Sequence, residues 1–392
     1  MKILVLGSGL MGPAAAYNAA SDPAVAQAVL ADWDQAQLES ALKKFVGATQ
    51  GRKLGVVRLD LHNQTAAIEL MAKFEAVVAA LPRTVSPLAI RAALQAGTPL
   101  VDLTRPSEAE AAVLRPEVEA AAGLIILGCG VEPGLTEIWA RHLAEQLDRV
   151  TELHIKCGGI PEKPTPPLGY KIVFGGRQLP LRDQPGYMVE QGELKLAPRY
   201  TAVERVDFAG VGECEAWQEN FMPWLLELPA LRGLSHGTQK TIRWPGYAAK
   251  VSVLRELGLL SQEPVEVDGV RVAPKKVVDA VLYPQVKLAE GERDLTLFRV
   301  EVSGQQGGSP AHYRVEMIDR YDDATGFTSM ARTTAFTGAI VARMIARGEI
   351  QGRGLLSPEQ LITGPLFDRL IAELAALNIR FEVTGGRVQV AG

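Results

Sequence analysis

The chain has 392 residues, and its 41 lysines and arginines against 45 aspartates and glutamates give a formal charge of −4. Apolar residues make up 47% of it and charged residues 22%, the mixture of a globular protein that can bury a core without disulfides or metals. There is no basic run to neutralise phosphates, which argues against a nucleic-acid partner. No apolar run reaches the ~18 residues of a membrane span. We therefore expect a cytoplasmic protein of about two or three domains, with neither nucleic acid nor membrane as a partner.

The three cysteines, Cys129, Cys157 and Cys214, cannot all pair, and none has a CxxC or Cys/His spacing. They fit reduced thiols better than a disulfide or zinc framework. No pair of histidines or carboxylates has a metal-ligand spacing either, so we expect no metal site.

The first hundred residues alternate between short apolar runs, typical of parallel strands buried on both faces, and helical patterns. The predicted strands span residues 2–6, 25–31, 54–60, 76–81 and 100–103. The predicted helices between them span residues 14–20, 36–45, 64–73 and 87–96. This βαβ alternation predicts an α/β fold with a Rossmann-type doubly wound parallel sheet.

A G-x-G-x-x-G sequence joins the first predicted strand to the first predicted helix: Gly7, Ser8, Gly9, Leu10, Met11 and Gly12. Gly7 permits a tight turn, Gly9 lets a pyrophosphate approach the backbone, and Gly12 lets helix and strand pack closely. The helix N-terminus then offers unpaired N–H groups to the phosphates. The alternative is that the glycines only form a turn, but the surrounding strand and helix and the acidic residue discussed next favour dinucleotide binding.

Asp32 ends the second predicted strand, 20 residues beyond Gly12. Its carboxylate can accept hydrogen bonds from the adenosine ribose and would repel a 2′-phosphate, which favours NAD over NADP. Residues that close the third and fourth predicted strands complete the expected cofactor site: Asp60, Leu61, Ala80, Leu81 and Pro82.

After residue 130 the alternation stops, and residues 150–320 are rich in strands and turns. They predict a second, mixed α/β and largely antiparallel domain over residues 126–321. Helical patterns at 329–347 and 365–377 and a short hairpin at 380–390 close the chain. We expect the segment from about 322 to 392 to return to the Rossmann domain of residues 1–125.

Several stretches of the chain resemble the saccharopine dehydrogenase-type oxidoreductases. They are GSGLMG (7–12), ALPRTVSPLAIRAALQAGTPLVDLT (80–104), GCGVEPGLTEIWARHL (128–143), KCGGIPEKPTPPLGYKIVFG (156–175), TIRWPGY (241–247) and MARTTAFTGAIVARMIARGEI…GLLSPE (330–359). Within the family, DLTRPSE (102–108) and the ARTT helix are most similar to the NAD-dependent L-lysine 6-dehydrogenase branch. The resemblance implies a second domain with substrate contacts and a homodimer interface, and NAD(P)-dependent oxidation of an amine-bearing carbon in an amino acid.

Three positions depart from the family pattern. Glu132 replaces the usual aspartate before Pro-Gly, Glu137 replaces a common asparagine or histidine, and Pro166 occupies a position that is commonly polar. These changes affect the expected substrate side, so the substrate of the family cannot simply be assumed.

Oxidation of an amine requires an acid/base group within hydrogen-bond reach, and such groups lie beyond the C-terminal ends of parallel strands. Asp102 and Glu108, after the fifth predicted strand, satisfy this placement as catalytic candidates. Asp102 could instead be a solvated loop carboxylate, and Glu108 could be a charge that interacts with a helix dipole. Glu132 could cap the helix that begins at Leu135.

A substrate carboxylate needs a cation, and arginine is preferred because its fork matches a carboxylate. Arg243 is the best candidate from its pattern and from the resemblance, although it could be a surface arginine. Lys156 could line a cleft or lie on a solvated strand face, and Gly158 and Gly159 could admit a ligand or end a strand. Tyr170 is a further candidate for substrate contact.

The resulting hypothesis is an L-lysine 6-dehydrogenase-like enzyme. The main alternative is a saccharopine dehydrogenase, whose substrate has additional carboxylates that Lys156, Lys171 and Lys240 could bind. A non-catalytic NAD-binding sensor is an alternative of a different class.

Overall fold

The computed structural model describes residues 1–45 and 49–387, which form two compact units. Unit 1 comprises Met1–Ile138 and Ala331–Ile379, and unit 2 comprises Trp139–Met330 and the chain from Arg380 onward. None of the described helices combines the length and the apolar character that crossing a membrane requires.

The described strands, in chain order, are β1 (Lys2–Leu6), β2 (Gln27–Asp32), β3 (Leu54–Arg58), β4 (Ala76–Ala79), β5 (Leu100–Asp102), β6 (Leu124–Ile126), β7 (Arg149–Pro161), β8 (Gly186–Glu190), β9 (Glu193–Ala197), β10 (Glu204–Phe208), β11 (Gly212–Gln218), β12 (His236–Arg243), β13 (Val265–Val267), β14 (Val270–Val272), β15 (Asp294–Gln306), β16 (Ser309–Arg320), β17 (Gly354–Leu356) and β18 (Glu382–Arg387).

The described α-helices are α1 (Gly12–Ser21), α2 (Gln35–Phe45), α3 (Gln64–Met71), α4 (Ser86–Ala96), α5 (Glu108–Ala121), α6 (Leu135–Ala144), α7 (Tyr247–Glu256), α8 (Pro274–Val286), α9 (Ser329–Ala331), α10 (Thr337–Ala346), α11 (Pro358–Leu361) and α12 (Pro365–Ala376). A π-helical turn, Arg332–Phe336, joins α9 to α10. Short 3₁₀ helices cover Thr49–Lys53, Pro223–Glu227 and Pro229–Leu231.

Unit 1 is built on a seven-stranded sheet in the order β17-β6-β5-β4-β1-β2-β3. All pairings of these strands are parallel. The apolar runs of β4, β5 and β6 are wholly buried, as expected for strands covered on both faces. The strand order reverses at β1, the switch point beside which dinucleotides bind in such folds. The predicted Rossmann-type doubly wound sheet is confirmed.

Unit 2 contains a nine-stranded mixed sheet with the path β10-β11-β12-β7-β15-β16-β18, to which β8 and β9 add through β12. Only the pairing of β12 with β7 is parallel among the described strands of this sheet. Two apolar clusters pack in this unit, one of them rich in tyrosine and centred on α7. The prediction of a second, mixed and largely antiparallel domain is confirmed.

The last strand does not follow the predicted return to the Rossmann domain. β18 pairs with β16 in the sheet of unit 2, and the Phe381 ring lies 5.1 Å from Trp139 and 5.7 Å from Phe298. The free edge of β16 needs a hydrogen-bonding partner, and these aromatic contacts favour the C-terminal strand for that place. The prediction for residues 322–392 was therefore wrong for this strand, and residues 388–390 of the predicted hairpin lie outside the described residues.

Candidate functional site

Gly7 and Gly12 are glycines because the loop leaves no room for a side chain. A Cβ on Gly7, whose φ is +93°, would lie 2.4 Å from the carbonyl oxygen of Ala80, and a Cβ on Gly12 would lie 1.7 Å from that of Gly7. Gly9 differs, since a Cβ there would meet nothing within 4 Å. The packing of unit 1 therefore does not require a glycine at position 9, whereas close approach of a ligand to the backbone would.

Ser8 and Asp32 connect this loop to the end of β2. The Ser8 N–H donates to Asp32 Oδ2 at 2.6 Å, and the Asp34 N–H donates to Asp32 Oδ1 at 2.9 Å. The Ser8 hydroxyl oxygen is buried and has no hydrogen-bond partner among the described residues, although buried hydroxyls are normally paired. Because the N-terminus of α1 also favours an anion, the loop fits a dinucleotide, whose pyrophosphate Ser8 and the backbone at Gly9 would hold.

Two other predicted cofactor residues lie against the loop. Ala80 and Leu81, which follow β4, are the neighbours that a side chain at Gly7 would meet. Leu10 is a large apolar residue that remains exposed in the loop, and Met11 beside it is partly exposed. These side chains are available to a ligand bound over the glycines.

The remaining predicted cofactor residues have local roles in the protein. The Asp60 carboxylate accepts hydrogen bonds from the backbone and the ring of His62, which hold its pKa below the ordinary value. Leu61 packs into the apolar core of unit 1, and the Pro82 carbonyl accepts the Val85 N–H at the start of α4.

Asp102 lies at the end of β5 and is wholly buried. The Ser86 hydroxyl donates to its Oδ2, and the Thr104 N–H and hydroxyl donate to its Oδ1 at 2.8 and 3.0 Å. Burial raises the pKa of Asp102 to about 6, although these donors act in the opposite direction. The alternative of a solvated loop carboxylate is therefore wrong, and Asp102 holds the loop that leads to Glu108.

Glu108 is the first residue of α5, directly after the N-cap Ser107, whose capping box includes Glu110. Its side chain is 62% exposed and pairs with Arg105 at 3.1 Å. Arg105 is buried, and its carbonyl accepts the Arg83 Nε–H at 2.7 Å. Glu108 therefore lies at a helix N-terminus, where its charge can interact with the helix dipole. Its carboxylate is also accessible, as a catalytic acid or base must be.

Two buried carboxyl groups lie on helices that follow strands of the parallel sheet, namely Glu137 after β6, which the sequence showed only as a departure from the family pattern, and Glu359 after β17, which the sequence did not single out. Glu137 in α6 accepts hydrogen bonds from the Gly134 N–H and the Thr136 hydroxyl, both at 2.6 Å, and capping of this helix by Glu132 stays a prediction. Glu359 in α11 is 1% exposed and accepts the Ser357 hydroxyl. Burial raises its pKa to about 7, with Ser357 lowering it and the charge of Glu137 raising it further.

Arg243 ends β12 in unit 2 and is 3% exposed. Its Nη1 donates to the Ile242 carbonyl at 2.7 Å, while its Nε has no hydrogen-bond partner among the described residues. Glu215 lies opposite on β11, but its oxygens accept the Gly246 and Ala248 N–H groups at 2.7 and 2.6 Å. No described carboxylate lies within ion-pair distance of Arg243, and the alternative of a surface arginine is wrong.

The other buried cations of unit 2 are neutralised by the protein. Lys156 pairs with Glu301 at 2.7 Å, Lys171 with Glu292 at 2.9 Å, and Lys240 with Glu204 at 3.0 Å. The same holds for Arg199 with Glu219 and for Lys275 with Asp279. Among the buried cations of unit 2 that the structure describes, Arg243 is thus the one without an acidic partner.

Gly158 and Gly159 are explained by packing. A Cβ on Gly158 would lie 2.2 Å from the Ile242 carbonyl oxygen, and one on Gly159 would lie 2.4 Å from Met330 Cε. Tyr170, in contrast, lies with its ring centroid 4.9 Å from the Arg243 guanidinium carbon. Of the predicted substrate residues, the fold therefore brings Arg243 and Tyr170 together.

Comparisons with known proteins agree with this architecture. The chain is 22% identical to the mitochondrial alpha-aminoadipic semialdehyde synthase of Bos taurus over 95% of this chain and 47% of that protein, so it spans about half the length of this relative. It is 21% identical to the saccharopine dehydrogenase (NADP(+), L-glutamate-forming) of Saccharomyces cerevisiae over 91% of this chain and 93% of that protein. It is also 21% identical to the carboxyaminopropylagmatine dehydrogenase of Synechocystis, over 94% of this chain and 95% of that protein.

The crystallised apo saccharopine dehydrogenase (L-Glu forming) of Saccharomyces cerevisiae has the same fold, with a TM-score of 0.79 at 18% identity over 100% of both chains. Residues 3–126 match the saccharopine dehydrogenase NADP binding domain, and residues 130–379 match the saccharopine dehydrogenase C-terminal domain. These two matches cover nearly all of the described residues, and the chain belongs to the saccharopine dehydrogenase family.

Proposed function

We propose that this chain is an NAD-dependent dehydrogenase that oxidises the amine-bearing carbon of an amino acid with one carboxylate, as an L-lysine 6-dehydrogenase does. The observation that carries the substrate class is the buried Arg243, which has no acidic partner among the described residues. Burying an unpaired charge costs several kcal/mol, and a substrate carboxylate would offset that cost. Two relatives are named as dehydrogenases, which supports the reaction class.

The reaction removes a hydride from the carbon and a proton from the nitrogen, and water then adds to the imine and releases ammonia. The product is 2-aminoadipate 6-semialdehyde or its cyclic imine. When bound, the nicotinamide cofactor would accept the hydride. The chain itself must bind the carboxylate, orient the amine and move the protons.

The pairing of the lysines favours this substrate over saccharopine. Saccharopine has additional carboxylates, and the sequence offered Lys156, Lys171 and Lys240 to bind them. Each of these lysines already pairs with a glutamate, so binding saccharopine through them would require those ion pairs to break. A substrate with one carboxylate needs a single cation, which Arg243 can supply.

Glu108 is the better of the two acid/base candidates. It has an accessible carboxylate at the C-terminal edge of the parallel sheet, where catalytic groups of such folds lie. Asp102 is enclosed and its oxygens are occupied by Ser86 and Thr104, which suits a positioning role. We therefore assign the proton transfer to Glu108 and the support of its loop to Asp102.

Asp32 supports NAD as the cofactor, because its carboxylate lies at the end of β2 and would repel a 2′-phosphate. Two observations favour NADP instead. The matching domain family is named for NADP, and a cation lies beside Asp32, since Arg58 donates to the Trp33 carbonyl at 3.2 Å. The two cofactors therefore have to be compared directly. If NADP serves better than NAD, the role given to Asp32 is wrong.

One experiment separates the candidate functions. The purified protein is incubated with NAD or NADP and, in turn, with L-lysine, saccharopine and other amino acids, and absorbance of the reduced cofactor is followed. Reduction with lysine and not with saccharopine supports the proposal, and the reverse supports a saccharopine dehydrogenase. Silence across the panel despite NAD binding would indicate a non-catalytic sensor.

We also propose that the protein is a homodimer in the cytoplasm. The sequence resemblance supports the dimer, and the composition supports the location. Light scattering after gel filtration tests the first, and fractionation of the source cells tests the second.

A further inference from the structure

Three residues of unit 2 that pack around the Tyr247 ring each carry a buried polar atom without a hydrogen-bond partner among the described residues. The atoms are Arg243 Nε, Tyr170 Oη and Trp217 Nε1. The Arg243 guanidinium carbon lies 5.6 Å from the centroid of the Tyr247 ring, and the rings of Tyr170 and Trp217 lie 5.7 and 6.1 Å from it. All three residues are at most 3% exposed.

Neighbouring groups show that the same region satisfies other polar atoms. The Trp244 indole donates to the Pro161 carbonyl at 2.9 Å, and the Tyr200 hydroxyl accepts the Arg182 N–H at 2.8 Å. Leaving a buried donor unpaired is unfavourable. The unpartnered atoms of these three residues around Tyr247 favour an acceptor from outside the chain.

We propose that Trp217 and Tyr170 are specificity-determining residues that, together with Arg243, bind the carboxylate of the substrate. The Arg243 Nε–H and the Trp217 indole N–H can only donate, and the Tyr170 hydroxyl can donate as well. An ionised carboxylate has about four lone-pair sites and no hydrogen, so it can accept from all three. An amide has a single acceptor oxygen, so its NH2 group would face at least one of these donors.

The aromatic residues around these donors strengthen the preference for a carboxylate over an amide. Tyr247 stacks on Trp217 at an interplanar angle of 10°, and Tyr200 packs against Trp217 at 4.5 Å, so the indole contacts two aromatic rings. Hydrogen bonds to a charged group are stronger in such a dry environment than in water. The inference rests on the proposed function in taking Arg243 as the carboxylate anchor, but it does not depend on turnover of lysine.

Binding of two matched ligands tests the inference without catalysis. L-Norleucine has the α-amino acid group and lacks the ε-amine, and L-norleucinamide replaces the carboxylate with an amide. The variants are Trp217→Phe and Tyr170→Phe, which keep a ring in place, and Trp244→Phe, whose indole is already paired in the protein. Calorimetry with the full chain and saturating NAD measures each dissociation constant, and unfolding curves verify that every variant is folded.

We expect norleucine to bind the parent protein at least 100-fold more tightly than its amide. Each of Trp217→Phe and Tyr170→Phe weakens norleucine binding about tenfold or more and reduces this discrimination, while Trp244→Phe changes neither. Unchanged discrimination in both test variants, or no binding of norleucine by the parent protein, overturns the inference. Trp217-dependent binding without reduction of NAD by lysine would leave the inference standing and reject the lysine dehydrogenase.

Discussion

Arg343 of α10 and Asp22, the C-cap of α1, form an ion pair of 2.8 Å although 321 positions separate them in the sequence. Their side chains are 6% and 10% exposed. Arg343 also pairs with Glu373 of α12 at 2.7 Å. This network ties the C-terminal helices of unit 1 to the helix that follows the glycine loop.

Replacement of Arg343 by alanine is expected to lower the free energy of unfolding by about 1.5–3 kcal/mol, because it removes buried charge-assisted hydrogen bonds, while Arg347 still pairs with both Asp22 and Glu373. Arg369→Ala is the matched control. Arg369 pairs with the same Glu373 at 3.2 Å but is 47% exposed, so its loss should amount to less than about 1 kcal/mol. Urea unfolding curves compare the two, and equal losses would contradict the importance of the buried pair.

Glu359 should make the stability of the protein fall as the pH rises from mildly acidic to neutral. Its folded-state pKa of about 7 exceeds the ordinary unfolded value of about 4.3, so the folded state binds the proton more tightly. Stability from this group is fully present below about pH 4.3 and is lost as the pH rises to about 7. Glu359→Gln, which keeps a neutral side chain, should flatten this decline and raise the Tm at pH 8. Parallel Tm profiles of parent and variant between pH 5 and 8 would contradict the assignment.

Substitutions at two glycines of the glycine loop should distinguish an effect on cofactor binding from an effect on folding. Gly9→Ala should fold normally, because a Cβ there has open space, yet bind NAD at least tenfold more weakly because the methyl group occupies the phosphate approach. Gly12→Ala should lose stability as well, since its Cβ would meet the Gly7 carbonyl oxygen. Fluorescence titration with NADH and thermal unfolding measure the two effects. Normal NAD binding by Gly9→Ala would remove this loop from the cofactor site.

Arg243→Met should raise the KM for the substrate sharply without destabilising the protein. The substitution removes a buried cation that has no acidic partner, so the free energy of unfolding should fall by no more than about 1 kcal/mol or should rise. Lys156→Met serves as the contrast, because it leaves the half-buried Glu301 without its partner. Steady-state kinetics and urea unfolding provide the readouts. NAD binding by Arg243→Met should be unaffected. An unchanged KM for this variant would exclude Arg243 from the substrate site.

The two acidic candidates should differ in the kind of defect they cause. Glu108→Gln should lower kcat by about 10²–10⁴-fold with little change in stability, as expected for loss of a general acid or base at an exposed position. Asp102→Asn should lower stability as well, because the Ser86 and Thr104 donors would face an amide. Rates and unfolding midpoints of both variants decide the matter. If Glu108→Gln kept full activity, another group would have to carry out the proton transfer.

The glycine loop and Asp32 could be predicted because their signals are local: a buried strand, three glycines and an acidic residue at fixed spacing. The parallel sheet followed from the alternation of patterns for the same reason. The place of β18 could not be predicted, since an edge strand chooses its partner through contacts such as Phe381 with Trp139, which are distant in the sequence.

The buried polar side chains were harder to predict than the glycine loop. Nothing in the local sequence indicates that Glu359 and Glu137 are buried so close together that the charge of Glu137 raises the pKa of Glu359. Trp217 lies in a strand pattern that is equally typical of an ordinary core tryptophan, and its unsatisfied indole becomes visible only beside Tyr247 and Arg243. Arg243 itself was found because the residues around it alternate, although its lack of an acidic partner depends on the fold.

The pairing of β18 with β16 has a consequence for how this protein can be divided. The chain passes between the units three times, after Ile138, Met330 and Ile379, so neither unit is a continuous segment. A fragment that ends at residue 330 would lack β17, the edge strand of the parallel sheet, and the helix that carries Arg343. Exchange of unit 2 between relatives would therefore require an internal replacement of residues 139–330 together with a matching C-terminal strand. A single crossover would leave at least one sheet with strands from both relatives.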